Sequence, residues 1–161
     1  MQENRNFNSL RMKRFRIFLL VAIIGLSFSA NAQGILVNGI YYNFDSYNST
    51  AEVTSGPTPE YAGDIVIPSA VSYDGTNYTV TSIQGGAFYG CGGLVSITIP
   101  NTLVNFGAYF SGCPNFVHIY VDNANPNFSE ENGVLFNKDK TKLIRFPQGK
   151  TGDYNVQRDV D

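Results

Sequence analysis

Two stretches of this 161-residue chain repeat one another, and that repetition limits the possible fold more than any other feature. Phe88, Gly90, Cys91, Leu94, Ile97 and Ile99 are answered, at a constant spacing of 22, by Phe110, Gly112, Cys113, Phe116, Ile119 and Val121. Ile83 is answered by Phe106 at a spacing of 23, so the second unit is one position short before Phe110. A period in this range marks a chain wound into stacked coils. The alternation Ile97-Thr98-Ile99 reads as a short strand whose odd positions face inward, and Pro100 ends it. The Gly-Ala-Phe-Tyr-Gly-Cys stretch before it makes the opposite turn, with Phe and Cys inside. A single coil cannot bury its own apolar face, so neighbouring coils must cover it. Composition agrees: Tyr and Phe together number 22, Trp is absent, Gly numbers 16, and only 15% of residues are charged. Aromatics with glycine favour strands joined by tight turns over long helices.

Residues 1–32 are set apart from the fold. Arg11, Lys13, Arg14 and Arg16 precede an uncharged apolar run from Ile17 to Phe28, and Ser29-Ala30-Asn31-Ala32 follows. That order is the layout of a secretory signal peptide, with cleavage expected after Ala32. The apolar run is well short of the roughly 20 residues that span a bilayer, so no membrane span is expected after cleavage. Residues 1–32 hold five of the 11 basic and one of the 13 acidic residues, which leaves 6 basic and 12 acidic, net −6. Nucleic-acid binding, which needs a basic footprint, is disfavoured. Five of those six basic residues fall between Lys138 and Lys150, on what reads as a solvated hairpin.

Strands are expected at Gly39–Phe44 and Ala51–Thr54, an irregular loop at Ser55-Gly56-Pro57-Thr58-Pro59, and a tight turn at Asp74-Gly75. Leu135-Phe136 and Leu143-Ile144 flank Asn137–Thr141 as a further hairpin. The tail Gly152-Asp153-Tyr154-Asn155-Val156 reads as the start of another coil.

The string Ser82-Ile83-Gln84-Gly85-Gly86-Ala87-Phe88-Tyr89-Gly90-Cys91, with Leu94-Val95-Ser96-Ile97-Thr98-Ile99-Pro100, closely resembles the BspA-like bacterial leucine-rich repeats. Val37–Tyr42 resembles that family's opening strand, and Gly63–Pro68 resembles the strand that leads into its first repeat. Asn125–Phe128 with Gly133–Lys140 resembles an insertion between its repeats. The resemblance covers roughly residues 34–150. It implies a mainly β leucine-rich-repeat solenoid with about two 22–23-residue coils, and with the readings above the chain divides into five parts. These are a signal peptide (1–32), an N-terminal β cap (33–80), repeats (81–121), an inter-repeat hairpin (122–150) and the truncated start of a further coil (151–161). It also implies adhesion or protein binding, with host extracellular-matrix proteins as partners of some members.

Little in the chain points to catalysis. The lone histidine, His118, lies between two apolar residues on the outward side of its strand, with no nucleophile or orienting carboxylate evident nearby. Cys91 and Cys113 occupy equivalent places in adjacent coils. Export and a spacing near 4.8 Å would permit a disulfide, but the position suits a small buried apolar side chain, and free thiols are expected. Asp122–Asn127 has the look of a calcium loop, yet its alternate positions are Asp122, Ala124 and Pro126, so it reads as a turn. No cofactor or metal is expected, and the chain is not expected to be an enzyme. The expected role is a secreted or cell-surface module for protein–protein interaction or adhesion. Its outward strand positions Ser96, Thr98, His118 and Tyr120 form the candidate face, with Arg145 extending the row. A structural spacer and a glycan-binding module are the alternatives.

Overall fold

The computed structural model describes residues 34–58 and 61–152. The signal peptide with its site after Ala32, and the tail from residue 153 on, lie outside the described residues. Every regular element among the described residues is a strand.

The first sheet begins with β1 (Ile35–Val37), β2 (Ile40–Asp45) and β3 (Thr50–Thr54), and is joined by β5 (Ala70–Tyr73) and β6 (Thr76–Ile83). Its order is β1-β2-β3-β6-β5. Two antiparallel hairpins turn on two-residue links, Asn38-Gly39 (φ 50° and 85°) and Asp74-Gly75 (φ 47° and 74°). Both residues of such a turn need positive φ, which Asn, Asp and Gly tolerate and β-branched residues do not. The β2–β3 link is held differently. The Asp45 carboxylate accepts bonds from the Tyr47 and Asn48 backbone N–H groups and from the Asn48 side-chain amide. These bonds stabilise the anion and hold Asp45 below the usual carboxylate range. β3 and β6 run parallel, with Thr50 opposite Thr79 and Val53 opposite Ile83. β6 is continuous through residues 80 and 81.

The second sheet is parallel and carries the repeat. It is β4 (Gly63–Val66), β7 (Leu94–Ile99) and β9 (His118–Val121), in that order. Ile65, Ile97 and Ile119 lie side by side across it. The pairing Ser96 with His118 reproduces the 22-residue period as a hydrogen-bond register. On the far side of the coil, β8 (Asn105–Phe106) pairs parallel with β6, Ser82 with Asn105 and Ile83 with Phe106, which reproduces the 23-residue spacing. The third sheet is antiparallel: β10 (Phe128–Glu131), β11 (Val134–Asn137) and β12 (Leu143–Arg145). The β11–β12 hairpin is the expected one. β10 is an addition, turned back by Asn132-Gly133 (φ 51° and 79°).

The core runs without a break from Ile40 and Tyr42 through the repeats to Phe128 and Leu135. Ile97, Ile99 and Ile119 are fully buried, as the period-2 reading requires, and so are Leu94 and Phe116. Phe88 stacks on Phe110 (5.4 Å between centroids, 15° between planes), and Phe110 stacks on Phe116 (4.0 Å, 17°). Each such side chain contributes on the order of 2–3 kcal/mol by leaving water. Tyr61 ties the first sheet to the repeats. Its ring lies 5.0 Å from Phe88, while its hydroxyl accepts from the Tyr41 N–H (2.9 Å) and donates to the Thr54 carbonyl (2.7 Å). Close packing of the coils shows at Gly112 (φ 81°), where an added Cβ would fall 2.9 Å from the Gly90 Cα.

Candidate functional site

Strand alternation places two columns on the outer face of the parallel sheet. One is Asp64, Ser96, His118; the other is Val66, Thr98, Tyr120. Adjacent members sit about 4.8 Å apart, the spacing of paired strands. Outward parity was legible for Ser96, Thr98, His118 and Tyr120, but exposure was not.

The column of Val66, Thr98 and Tyr120 is the accessible one. Val66 is 67% exposed, Tyr120 46%, and Thr98 half-buried between them. Val95 on β7 and Val117 just before β9 are exposed as well, joined by a bond from the Val117 N–H to the Val95 carbonyl. The other column is largely occupied. Ser96 is only 5% exposed, and its hydroxyl donates to the Asp64 carboxylate at 2.6 Å. His118 is half-buried rather than open to solvent, which corrects its expected exposure. Its ring stacks on Tyr120 at 3.9 Å and 18°, and the β10–β11 turn lies directly on it: a Cβ at Gly133 would meet its Nδ1 at 2.7 Å. The Gly133 carbonyl accepts from the Ile119 N–H at 3.0 Å, so this turn also covers the edge of β9. A carboxylate does approach the imidazole, contrary to the reading of the sequence. Glu130 Oε2 lies 3.9 Å from Nε2, beyond hydrogen-bond reach, and accepts instead from the Gly133 N–H at 2.8 Å. His118 is thus a packing post for the hairpin and a brace for Tyr120.

Arg145 does not extend the row. It lies on β12, in the antiparallel sheet, opposite Leu135 and not beside Tyr120. The residues that do belong to the row, Asp64 and Val66, were missed. Aligning Ile65 with Ile97 would have found them, but that step is longer than the repeat period because the β5–β6 hairpin intervenes.

The remaining candidates have structural partners. Cys91 and Cys113 are free and buried. Cys113 Sγ donates to the Phe88 carbonyl at 2.9 Å, and burial pushes both thiols up. Asp122 Oδ1 accepts from the Ala124 N–H at 2.9 Å, the bond of an Asx turn. Among the described residues no three His, Cys, Asp or Glu side chains converge, and no helix is long and apolar enough to cross a membrane.

No family model matches the chain, and no curated protein does. Three solved structures are similar to it. A leucine-rich repeat protein from Bacteroides ovatus ATCC 8483 is 28% identical over 56% of this chain and 24% of its own, with a TM-score of 0.47. A leucine rich cell surface protein from Faecalibacterium prausnitzii A2-165 is 21% identical over 58% of this chain and 24% of its own, with a TM-score of 0.44. The pneumococcal vaccine antigen PcpA is 14% identical over 74% of this chain and 57% of its own, with a TM-score of 0.31. The chain resembles the BspA-like bacterial leucine-rich-repeat family. It spans about a quarter of the length of the first two structures. The resemblance rests on its own repeat strings, and the open column of its parallel sheet is Val66, Thr98 and Tyr120.

Proposed function

We propose that the chain belongs to a secreted or cell-surface leucine-rich-repeat protein, and that it mediates protein–protein interaction or adhesion. In this reading residues 1–32 direct export, 33–80 form the cap, 81–121 supply two coils of the repeat, and 122–150 form the inter-repeat hairpin. The activity is binding, not catalysis. The observation that carries the proposal is the column of Val66, Thr98 and Tyr120 on the parallel sheet. Its strands present a large amphipathic ring, a residue type enriched at protein interfaces, beside an open aliphatic side chain. Tyr120 is held in place by the His118 stack, so little rotamer freedom is lost on contact.

The test is surface binding of the chain from Gln33 to immobilised extracellular-matrix proteins (collagen, fibronectin and laminin), with the doubly substituted Val66→Ser/Tyr120→Ala protein as the comparison. Expected is saturable binding to at least one of them, weakened at least tenfold in the variant, with an unchanged melting temperature. His118 is left intact because it supports the hairpin. Equal binding by a folded variant removes this face from the function. Failure of the folded parent to bind any of the three favours the spacer reading.

A further inference from the structure

Two sheets of the molecule end in open strand edges of matching chemistry. β4 is the outermost strand of the parallel sheet. Its Gly63 and Ile67 N–H groups donate to the Gly93 and Thr98 carbonyls, on the β7 side, at 2.7 and 3.0 Å. Successive residues of a strand turn their backbone groups to opposite sides, so Asp64 and Val66 turn theirs away from β7. Those groups have no partner among the described residues. β12 is the outermost strand of the third sheet. The Lys142 carbonyl, just before it, accepts from the Asn137 N–H at 3.0 Å on the β11 side, which turns the N–H and C=O of Leu143 to the open side. Edges of this kind are templates for a further strand. We propose that a second copy of the chain lays its β12 parallel to β4 as a fourth strand, with Lys142 beside Asp64, Leu143 beside Ile65 and Ile144 beside Val66.

Charge selects this partner. Residues 33–80 carry five acidic and no basic residues, 81–121 carry no Asp, Glu, Lys or Arg, and 138–150 carry five basic residues and one acidic. The acidic segment contains β4, and the basic one contains β12, so each copy offers what the other lacks. At the contact both charges are available. Asp64 is exposed, and its carboxylate accepts from the Ser96 hydroxyl alone. Lys142 is exposed and makes no ion pair among the described residues, whereas Lys138 donates to the Asn123 and Asn125 carbonyls and Lys140 pairs with Glu131.

The backbone and the side chains agree on the register. The Leu143 N–H donates to the Asp64 carbonyl, and the Val66 N–H donates to the Leu143 carbonyl, so the open groups of the two edges satisfy one another. Leu143 extends the inward row of Ile65, Ile97 and Ile119 and covers the open flank of the half-buried Ile65. Ile144 lies against Val66, which is 67% exposed. An antiparallel strand centred on Ile65 would set Lys142 beside Val66, and a slip of one residue would turn Leu143 to the outer face. So short a strand gives a weak, transient contact. Because two different surfaces meet, it joins copies head to tail.

The experiment is sedimentation velocity on the chain from Gln33, from roughly 10 µM to 1 mM, the range of a weak contact. Expected is a weight-average sedimentation coefficient that rises with concentration. Lys142→Glu and Asp64→Lys each set like charges side by side and should each weaken association about tenfold. Mixed in equal amounts they should associate as the parent does, since every contact between the two variants again joins opposite charges. Should Asp64→Lys fail to fold for want of its Ser96 bond, Val66→Pro takes its place: it removes an N–H on the open side, leaves the ladder to β7 intact and should abolish association. Lys142→Glu leaves Val66, Thr98 and Tyr120 untouched and should bind matrix proteins as the parent does, so self-association and matrix binding can fail separately. A sedimentation coefficient independent of concentration in the parent overturns the proposal. So does undiminished association in Lys142→Glu or in folded Val66→Pro, or a mixture of the folded charge variants that associates no better than either alone.

Discussion

Asn125 is fully buried, and its amide group makes four hydrogen bonds. Nδ2 donates to the carbonyls of Pro100 (2.7 Å) and Leu103 (3.3 Å), while Oδ1 accepts from the N–H groups of Asn127 (2.8 Å) and Phe128 (2.9 Å). Asn125→Ala removes all four bonds. The Leu103 carbonyl keeps a donor in Asn127 Nδ2 at 3.1 Å, so three backbone groups lose this partner in a buried setting. At about 1 kcal/mol each, the loss is about 3 kcal/mol, a shift of roughly 10 °C in melting temperature for a chain of this size. Urea unfolding followed by circular dichroism should show a lower midpoint with an unchanged slope. Asn125→Asp sharpens the test. The carboxylate retains both acceptor bonds but sets a negative charge against the Pro100 and Leu103 carbonyls, so at neutral pH it should cost more than alanine. Protonated, it donates to one of those carbonyls. Its folded pKa is therefore raised. Relative to the parent, its stability is fully present below the unfolded carboxyl pKa of about 3.9 and is lost as pH rises through the folded value. Asn125→Ala within about 0.5 kcal/mol of the parent, or Asn125→Asp gaining on the parent as pH rises, would refute the reasoning.

Gly112→Ala should destabilise by about 2–3 kcal/mol, because the new Cβ meets both a left-handed φ of 81° and the Gly90 backbone 2.9 Å away. Gly75→Ala, with φ 74° and open space, should lose only about 1 kcal/mol; equal losses in urea unfolding would show that coil contact adds nothing. Cys91 and Cys113 should resist Ellman's reagent in the native chain and react together in urea, since burial both shields the thiols and pushes them up. Rapid labelling of the native chain would contradict their packing. Burial pushes Tyr42 up to about 12, so the stability it contributes is complete below pH about 10 and falls as pH rises through 12. Alkaline titration of the tyrosine absorbance should leave buried tyrosine un-ionised well above pH 10 while the native circular dichroism persists, and complete ionisation near pH 10 in the folded chain would refute this.

Much of the fold could be read from particular residues. The 22-residue spacing became the pairing of Ser96 with His118, and the 23-residue spacing became that of Ile83 with Phe106. Asp74-Gly75 turned as expected. The Asn132-Gly133 turn carries an equally strong local signal, yet Phe128-Ser129-Glu130-Glu131 lacks the apolar alternation of a strand, and β10 went unread. The candidate face was half legible. Outward parity follows from the period of a strand, so Ser96, Thr98, His118 and Tyr120 could be assigned to one side. Whether such a residue is free depends on what lands on it, and Asp64 and Gly133 reach Ser96 and His118 from other strands and turns, well outside the local stretch of chain.

By itself, then, the sequence determined the repeat, the inward set of its coils and most of the tight turns, because each depends on spacing within a short stretch or on a period repeated along the chain. Only the tertiary structure decided the rest: the parallel pairing of β3 with β6, the longer step that brings β4 beside β7, the carbonyls gathered around Asn125, and the hairpin lying on His118. Those arrangements join segments whose separation has no period. They are selected by which packing leaves the fewest buried polar groups unpaired and the most apolar surface covered, a comparison between whole folds that no local pattern records.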